Sequence, residues 1–201
     1  YPVTGVLNII NCIFDNNSTG TSSGAVYAVC ETHISHSVFH HNVTTLNDGG
    51  ALTINNSVGG FSSIDHSTFY NNTAAGNGDS IYGGATDLRV NESIFWTSNP
   101  SANVVIYQPA GSITSTNCII SSANSFAWPG GFWGTDGGNN TDVDPLFSNS
   151  SNAVGPDGLW FTMDDGLRLQ ETSPALNKTS TFVGADIANN DFVGPADLGA
   201  Y

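Results

Sequence analysis

Five histidines, His33, His36, His40, His41 and His66, crowd into the first third of the chain, and two of them open matching stretches, "HSVFHHN" at 36–42 and "HSTFYNN" at 66–72. Two imidazoles one repeat apart suit zinc or copper. No third ligand follows at a convincing spacing, so the preferred reading is histidine standing in for asparagine at a turn. Carboxylates offer a second chemistry. Asp65 and Glu92 lie near equivalent places one repeat apart, and Asp48 and Asp79 each precede a short apolar burst. Glycoside hydrolysis needs such carboxyl pairs on neighbouring turns of the chain, although acids at loop corners more often serve as solvated turn residues. The stretch "GPDGLWFTMDDGLRL" supplies Asp157, Asp164 and Asp165, hard oxygen ligands suited to a structural Ca²⁺ that ties down a long loop; the spacing is not that of an EF-hand. In "SFAWPGGFWGTDGGNN", Phe126, Trp128, Phe132 and Trp133 sit among glycines. There, aromatic faces either stack on sugar rings or fold back over an open core.

Composition narrows these choices. Only Arg89, Arg168 and Lys178 are cationic against 17 acids, for a formal charge of −14 over 201 residues. Such a chain repels phosphate backbones and anionic lipid, which excludes nucleic acid and a membrane surface as partners. A polysaccharide lyase also needs a cationic centre and a basic groove for its uronates, and three dispersed cations do not supply one. Apolar residues make up 39% of the chain, in short β-branched and aromatic clusters that favour a packed core over disorder. No apolar run is long enough to span a membrane. No basic leader opens the sequence, so the expectation is that any signal peptide has been removed or lies outside it. Sequons occur at Asn16, Asn17, Asn42, Asn55, Asn71, Asn91, Asn139, Asn149 and Asn177. They are glycosylation candidates if the chain is secreted, and some arise by chance in a chain so rich in Asn, Ser and Thr.

The histidine stretches belong to a longer pattern. "NCIFDNN" at 11–17, "ESIFWTS" at 92–98 and "NCIISSA" at 117–123 repeat their plan, with steps of 25, 30, 26 and 25 residues. Aligned, they give a polar column (Asn11, His36, His66, Glu92, Asn117) and a small column (Cys12, Ser37, Ser67, Ser93, Cys118). A β-prone column follows (Ile13, Val38, Thr68, Ile94, Ile119), then a large apolar one (Phe14, Phe39, Phe69, Phe95, Ile120). Two residues upstream of the polar column stand Ile9, Ile34, Ile64 and Val90. A second motif keeps pace: "SGAVYA" at 23, "GGALTI" at 49, "GDSIYG" at 78 and "ANVVIY" at 102. Each repeat thus reads as about three short strands with no helical pattern, and a period of this size means stacked units. The leucine framework of leucine-rich repeats is missing, and propeller blades are longer. The expected fold is therefore all-β: a right-handed parallel β-helix, a solenoid of about 25–30 residues per coil. Coils occupy 1–120, and 121–201 forms a closing β-helix segment with the aromatic insertion and the acidic loop. Cys12 and Cys118, four coils apart, would stand roughly 19 Å apart at ~4.8 Å per coil, too far for a disulfide. Cys30 pairs with Cys12 only if the coils bring them together; otherwise all three are buried thiols.

The "F-x-x-N" stretches (Phe14–Asn17, Phe39–Asn42, Phe69–Asn72), alternating with "GGA"-like stretches such as Gly49-Gly50-Ala51, resemble the repeats of polymorphic outer-membrane proteins, surface-exposed adhesin β-helices. "DVDPLF", "DDGLRLQETSPALN" and "ADLGAY" resemble the closing segment of secreted bacterial pectate-lyase-like β-helix proteins, where it often precedes a surface-anchoring tail. Both resemblances imply a secreted or cell-surface protein, and neither specifies an activity, because the fold hosts lyases, hydrolases, adhesins and fibres. The expected role is a non-enzymatic extracellular structural or adhesive module, with glycans and other copies of itself as partners. Neither end reads as an amphipathic cap, so the expectation is either a piece of a longer protein or head-to-tail assembly of copies into a glycosylated fibre. The alternative is a carbohydrate-active domain: a polysaccharide hydrolase or lyase, or a glycan-binding module.

Overall fold

The computed structural model describes residues 5–56, 59–98, 105–121, 134–179, 185–190 and 195–201. Four parallel sheets wind into a solenoid of about four coils. The first sheet stacks β1 (Val6–Ile10), β5 (Glu31–Ser35), β9 (Phe61–Asp65), β13 (Ala85–Asn91), β16 (Ala110–Thr116) and β18 (Thr135–Asp136). The second stacks β2 (Ile13–Asp15), β6 (Val38–His40), β10 (Thr68–Tyr70), β14 (Ile94–Trp96) and β17 (Ile119–Ile120). A third, of two-residue strands, holds β3 (Ser18–Thr19), β7 (Val43–Thr44) and β11 (Thr73–Ala74). The fourth holds β4 (Val26–Ala28), β8 (Leu52–Ile54), β12 (Ile81–Gly83) and β15 (Ile106–Tyr107). Each full coil therefore has four strands rather than three. The third sheet escapes a pattern search because two residues carry no alternation. Among the described residues there is no helix long and apolar enough to cross a membrane.

The registers follow the sequence columns. Phe14 pairs with Phe39, Phe39 with Phe69 and Phe69 with Phe95. Their rings stack at 4.6, 4.5 and 4.7 Å between centroids, and Phe39, Phe69 and Phe95 are fully buried. Ile9, Ile34, Ile64 and Val90 form a second internal column, and Leu52, Ile81 and Ile106 a third. Because the sheet spacing equals the stacking distance of aromatic rings, identical residues in register bury apolar surface without voids.

Corners are made by residues in the left-handed region. Asn11, His36, His66, Glu92 and Asn117 turn the chain from the first sheet to the second with φ of 53°, 48°, 43°, 51° and 52°. Asn16, His41 and Asn71 make the next corner at 55°, 50° and 52°. Asparagine and histidine carry short polar side chains that tolerate this conformation. The polar column is thus a turn column, and its histidines replace asparagine. The "GGA" motif answers a different need. A Cβ on Gly24 would overlap the carbonyl oxygen of Gly50, and one on Gly50 that of Asp79, so successive coils approach too closely there for any side chain.

Polar ladders hold the coils in register. Ser37 Oγ accepts the Cys12 N–H at 3.2 Å and donates to Ser35 O at 2.9 Å. Ser67 and Ser93 repeat this one and two coils on, accepting from Ser37 at 3.3 Å and Ser67 at 3.1 Å. The cysteines of the small column stand at its two ends. Cys12 and Cys118 direct their thiols at the carbonyls two residues back, as the serines do, at 3.3 and 3.2 Å. All three cysteines are free, and the uniform burial expected of them fails for Cys12 and Cys30, which are half-buried. Burial pushes the Cys118 thiol up to about 12, so it is inert at neutral pH.

The closing segment departs from expectation. β18 is the last strand, and the described residues from Asp142 onward add no coil. They run along the outer face of the second sheet instead. There the β-prone column, Ile13, Val38, Ile94 and Ile119, is covered by Phe147, Leu167, Ala175, Ile187, Leu198, Ala200 and Tyr201, making a second core outside the solenoid. Thr68 breaks the aliphatic run of that column, and its Oγ1 accepts the Ala200 N–H at 3.0 Å. Gly199 N–H reaches Glu92 O at 2.9 Å, and the Tyr201 hydroxyl donates to Asp165 at 2.6 Å. The segment is a lateral strap.

Candidate functional site

Where strap and solenoid part, they leave a cleft of about 410 Å³. Tyr70 and Trp96, in register on β10 and β14, form its floor. Thr97, Ser98 and Ser121 follow their strands into it, and Asp142, Asp144, Leu146, Phe147, Ser150 and Gln170 line the strap side. Tyr70 is buried and held edge-on by Phe147 at 5.3 Å between centroids, whereas Trp96 is half-exposed. Asp144 accepts the Leu146 N–H at 2.8 Å through one oxygen, and Gln170 is fixed by donating to Phe147 O at 2.8 Å. The buried Ser121 hydroxyl has no hydrogen-bond partner among the described residues. A second hollow of about 240 Å³ adjoins the cleft across Thr97 and Ser98 and is lined further by His41, Asn71, Asn72, Thr73 and Asp79. Sequence reasoning passed over this site. By sequence Trp96 reads as part of the repeat and "DVDPLF" as scaffold, and the one signal for the site is the Asp142–Asp144 pair.

The residues singled out from sequence lie mostly elsewhere. His36 and His66 stack at 5.2 Å with rings 8° apart, and His66 Nε2 meets Glu92 Oε2 at 2.9 Å. Asp65 accepts from Asn91 at 2.9 Å, Asp48 from the Asn77 N–H at 2.6 Å and Asp79 from the Ala74 N–H at 3.0 Å. These acids hold coils and corners together. In the acidic loop, Asp157 accepts the Leu159 N–H at 2.8 Å, and Asp164 accepts the Thr162 hydroxyl at 2.6 Å and the Asp157 N–H at 3.2 Å. Asp165 is buried and takes the Phe161 and Thr162 N–H groups and the Tyr201 hydroxyl. Burial and the Asp165 carboxylate push the Tyr201 phenol up. The three acids thus act as acceptors that fold the loop, and no three His, Cys, Asp or Glu residues group as a metal-binding set among the described residues. Phe126, Trp128, Phe132 and Trp133 lie outside the described residues.

The sequons divide by exposure. Asn16, Asn17, Asn55, Asn139, Asn149 and Asn177 face solvent, and Asn71 and Asn91 are half-buried with their amides bonded to His41 and Asp65. Asn42 is a correction. It is fully buried, and its Nδ2 donates to Phe14 O at 2.9 Å and to Asn72 Oδ1 at 3.0 Å, so the folded chain has no room for a glycan there.

The buried histidines make stability depend on pH. Burial lowers His36 below the usual imidazole range and the neighbouring His66 adds to this, against the Asp65 and Asp186 carboxylates. Burial lowers His40 as well, and His41 adds to this; the Asp15 hydrogen bond at 2.7 Å opposes it, while the uncharged Tyr70 and Trp160 rings pack alongside. At His66 burial acts the same way against Asp65 and Glu92. With folded-state values below the unfolded ~6.5, the unfolded chain binds more protons in this window, so stability is complete above about pH 6.5 and falls as pH drops through it. Urea midpoints at pH 7.5 and pH 5 should differ, with the acid sample weaker by up to about 1.4 kcal/mol per pH unit per histidine. His36→Asn, which keeps a residue at ease in the left-handed corner, should remove part of the difference; equal midpoints at both pH values for the parent chain would contradict the assignment.

Comparison of the chain with protein-family models, with curated proteins and with solved structures found no match in any of the three.

Proposed function

We propose that the chain is a non-enzymatic, extracellular β-helix module with a structural or adhesive role. The cleft carries this reading: an open concave surface with a half-exposed tryptophan, hydroxyls and an amide, set on a rigid stack of sheets. The carboxylates of the repeats support it, since Asp48, Asp65, Asp79 and Glu92 are each engaged with a donor of the scaffold. Six solvent-facing sequons agree with a secreted, glycan-bearing surface. Head-to-tail stacking of copies would extend the same ladders axially, and sedimentation velocity separates that arrangement from a monomer.

A second reading, a carbohydrate-active domain, is favoured by one observation: Asp142 and Asp144 line the same cleft as Trp96. Both acids come from one short stretch of the strap, whereas a glycosidase sets its two carboxyls on either side of the bond it cleaves. One experiment separates the readings. Beads coated with the folded chain should be retained on a cell layer or polysaccharide film, while the free chain releases no reducing ends and no unsaturated product from the same material. Sustained product release would overturn the non-enzymatic reading.

A further inference from the structure

We infer that the cleft between strap and solenoid binds a neutral saccharide several sugar units long, a conclusion that rests on the adhesive reading above and names its ligand. Three observations converge on it. First, Trp96 presents a half-exposed indole on a floor locked by the buried Tyr70 and Phe147. A rigid aromatic face of this kind packs against the C–H face of a pyranose at little entropic cost. Second, the groups around it are those that bind sugar hydroxyls. Among the described residues Asp142 makes no hydrogen bond and the buried Ser121 hydroxyl at the cleft wall has no partner, while Asp144 keeps one oxygen clear of its turn bond. A buried hydroxyl left unpaired is unfavourable, and a ligand hydroxyl would relieve it. Third, the cleft runs on past Thr97 and Ser98 into the polar hollow at Asn71 and Asp79, so the surface is a groove rather than a single-sugar pit.

Charge selects among saccharides. Among the described residues no Lys, Arg or His lines the cleft itself, and His41 lines the hollow it runs into. Arg89 lies over Phe61 at 4.1 Å on the first sheet, and Arg168 pairs with Asp186 at 3.7 Å. Two carboxylates in the cleft and a net charge of −14 repel uronates and sulfated chains. This rules out anionic saccharides, and the hydroxyls and amide of the lining match the hydroxyl groups of uncharged ones.

Isothermal titration calorimetry at pH 7 tests this with cellohexaose, xylohexaose, mannohexaose and maltohexaose against hexagalacturonate, and with the disaccharide of any hexaose that binds. At least one neutral hexaose should bind, its disaccharide about tenfold or more weakly, and hexagalacturonate not measurably. Trp96→Ala should weaken the neutral ligand about tenfold or more, with Asp142→Asn, a surface change that keeps the fold, weakening it severalfold. No heat with any neutral hexaose at millimolar concentration overturns the inference. So does binding that survives both substitutions in variants with unchanged circular dichroism, or tighter binding of hexagalacturonate. Reducing ends appearing from a bound neutral chain would remove the non-enzymatic reading and leave the ligand class standing. Bead retention with no saccharide bound would do the reverse.

Discussion

Phe69→Ala should lower the unfolding free energy by about 3–5 kcal/mol. Phe69 has no solvent exposure and lies between Phe39 at 4.5 Å and Phe95 at 4.7 Å, so truncation opens a void that neither neighbour can enter without leaving its own coil. Backbone hydrogen bonds on both sides fix those coils, with Thr68 N–H to Ser37 O at 3.0 Å and Ile94 N–H to Ser67 O at 2.9 Å. The site therefore cannot collapse, which puts the cost toward the upper part of the range for buried aromatics. A loss of that size removes about a fifth or more of the ~5–15 kcal/mol that usually holds a domain. Phe14→Ala should cost less, because Phe14 is half-buried and stacks on one side only, against Phe39. Urea unfolding followed by circular dichroism measures both; a change below about 1 kcal/mol at Phe69 would show that the column repacks freely.

Asn42→Asp should be comparably damaging at pH 7 although it changes a single atom type. Asn42 Oδ1 accepts the Asn17 N–H at 3.1 Å and Asn17 Nδ2 at 2.9 Å, and its own Nδ2 donates to Phe14 O and Asn72 Oδ1. A carboxylate keeps the first pair of bonds but turns an acceptor toward two further acceptors in a fully buried site. An uncompensated buried charge costs about 3–5 kcal/mol. Protonation restores one donor, so the gap between variant and parent should narrow at pH 4.5; comparing the two at each pH cancels the histidine effect common to both. Asn42→Leu should show no such recovery, because the Asn17 N–H and the Phe14 carbonyl stay unpaired at about 1–3 kcal/mol each. Thermal unfolding at the two pH values decides the matter, and a pH-independent gap for the Asp variant would count against the ladder.

The repeat was legible for a physical reason. Each coil stacks on its own equivalent, so a residue is chosen by its column: Phe for a ring stack, Ser for a hydroxyl that serves two coils, Asn or His for a left-handed corner. Local chemistry and long-range contact then carry the same pattern, and the registers Ile9 to Ile34 and Phe39 to Phe69 can be read from spacing alone. The two-residue third sheet was illegible because it carries no alternation. The candidate site was illegible because it is assembled from one repeating surface and one segment that does not repeat.

Sequence by itself determined that this is a parallel β-helix, the step of its coils, that the polar column turns one corner and that Cys12 and Cys118 share a column with serines. These properties repeat at every coil and so accumulate into a signal. Only the tertiary structure decided that the chain past Asp142 lies against the outer face of the second sheet. That single placement buries Ile94 and Val38, ties Tyr201 to Asp165 and leaves Trp96 facing Asp142 and Asp144 across an open cleft. Asn42, a ladder residue, and Asn17, a solvent-facing one, share the same motif position and differ in the coil stacked beside them. Periodicity specifies what stacks; the docking of an aperiodic strap on one of several outward faces depends on shape and apolar area that no period records.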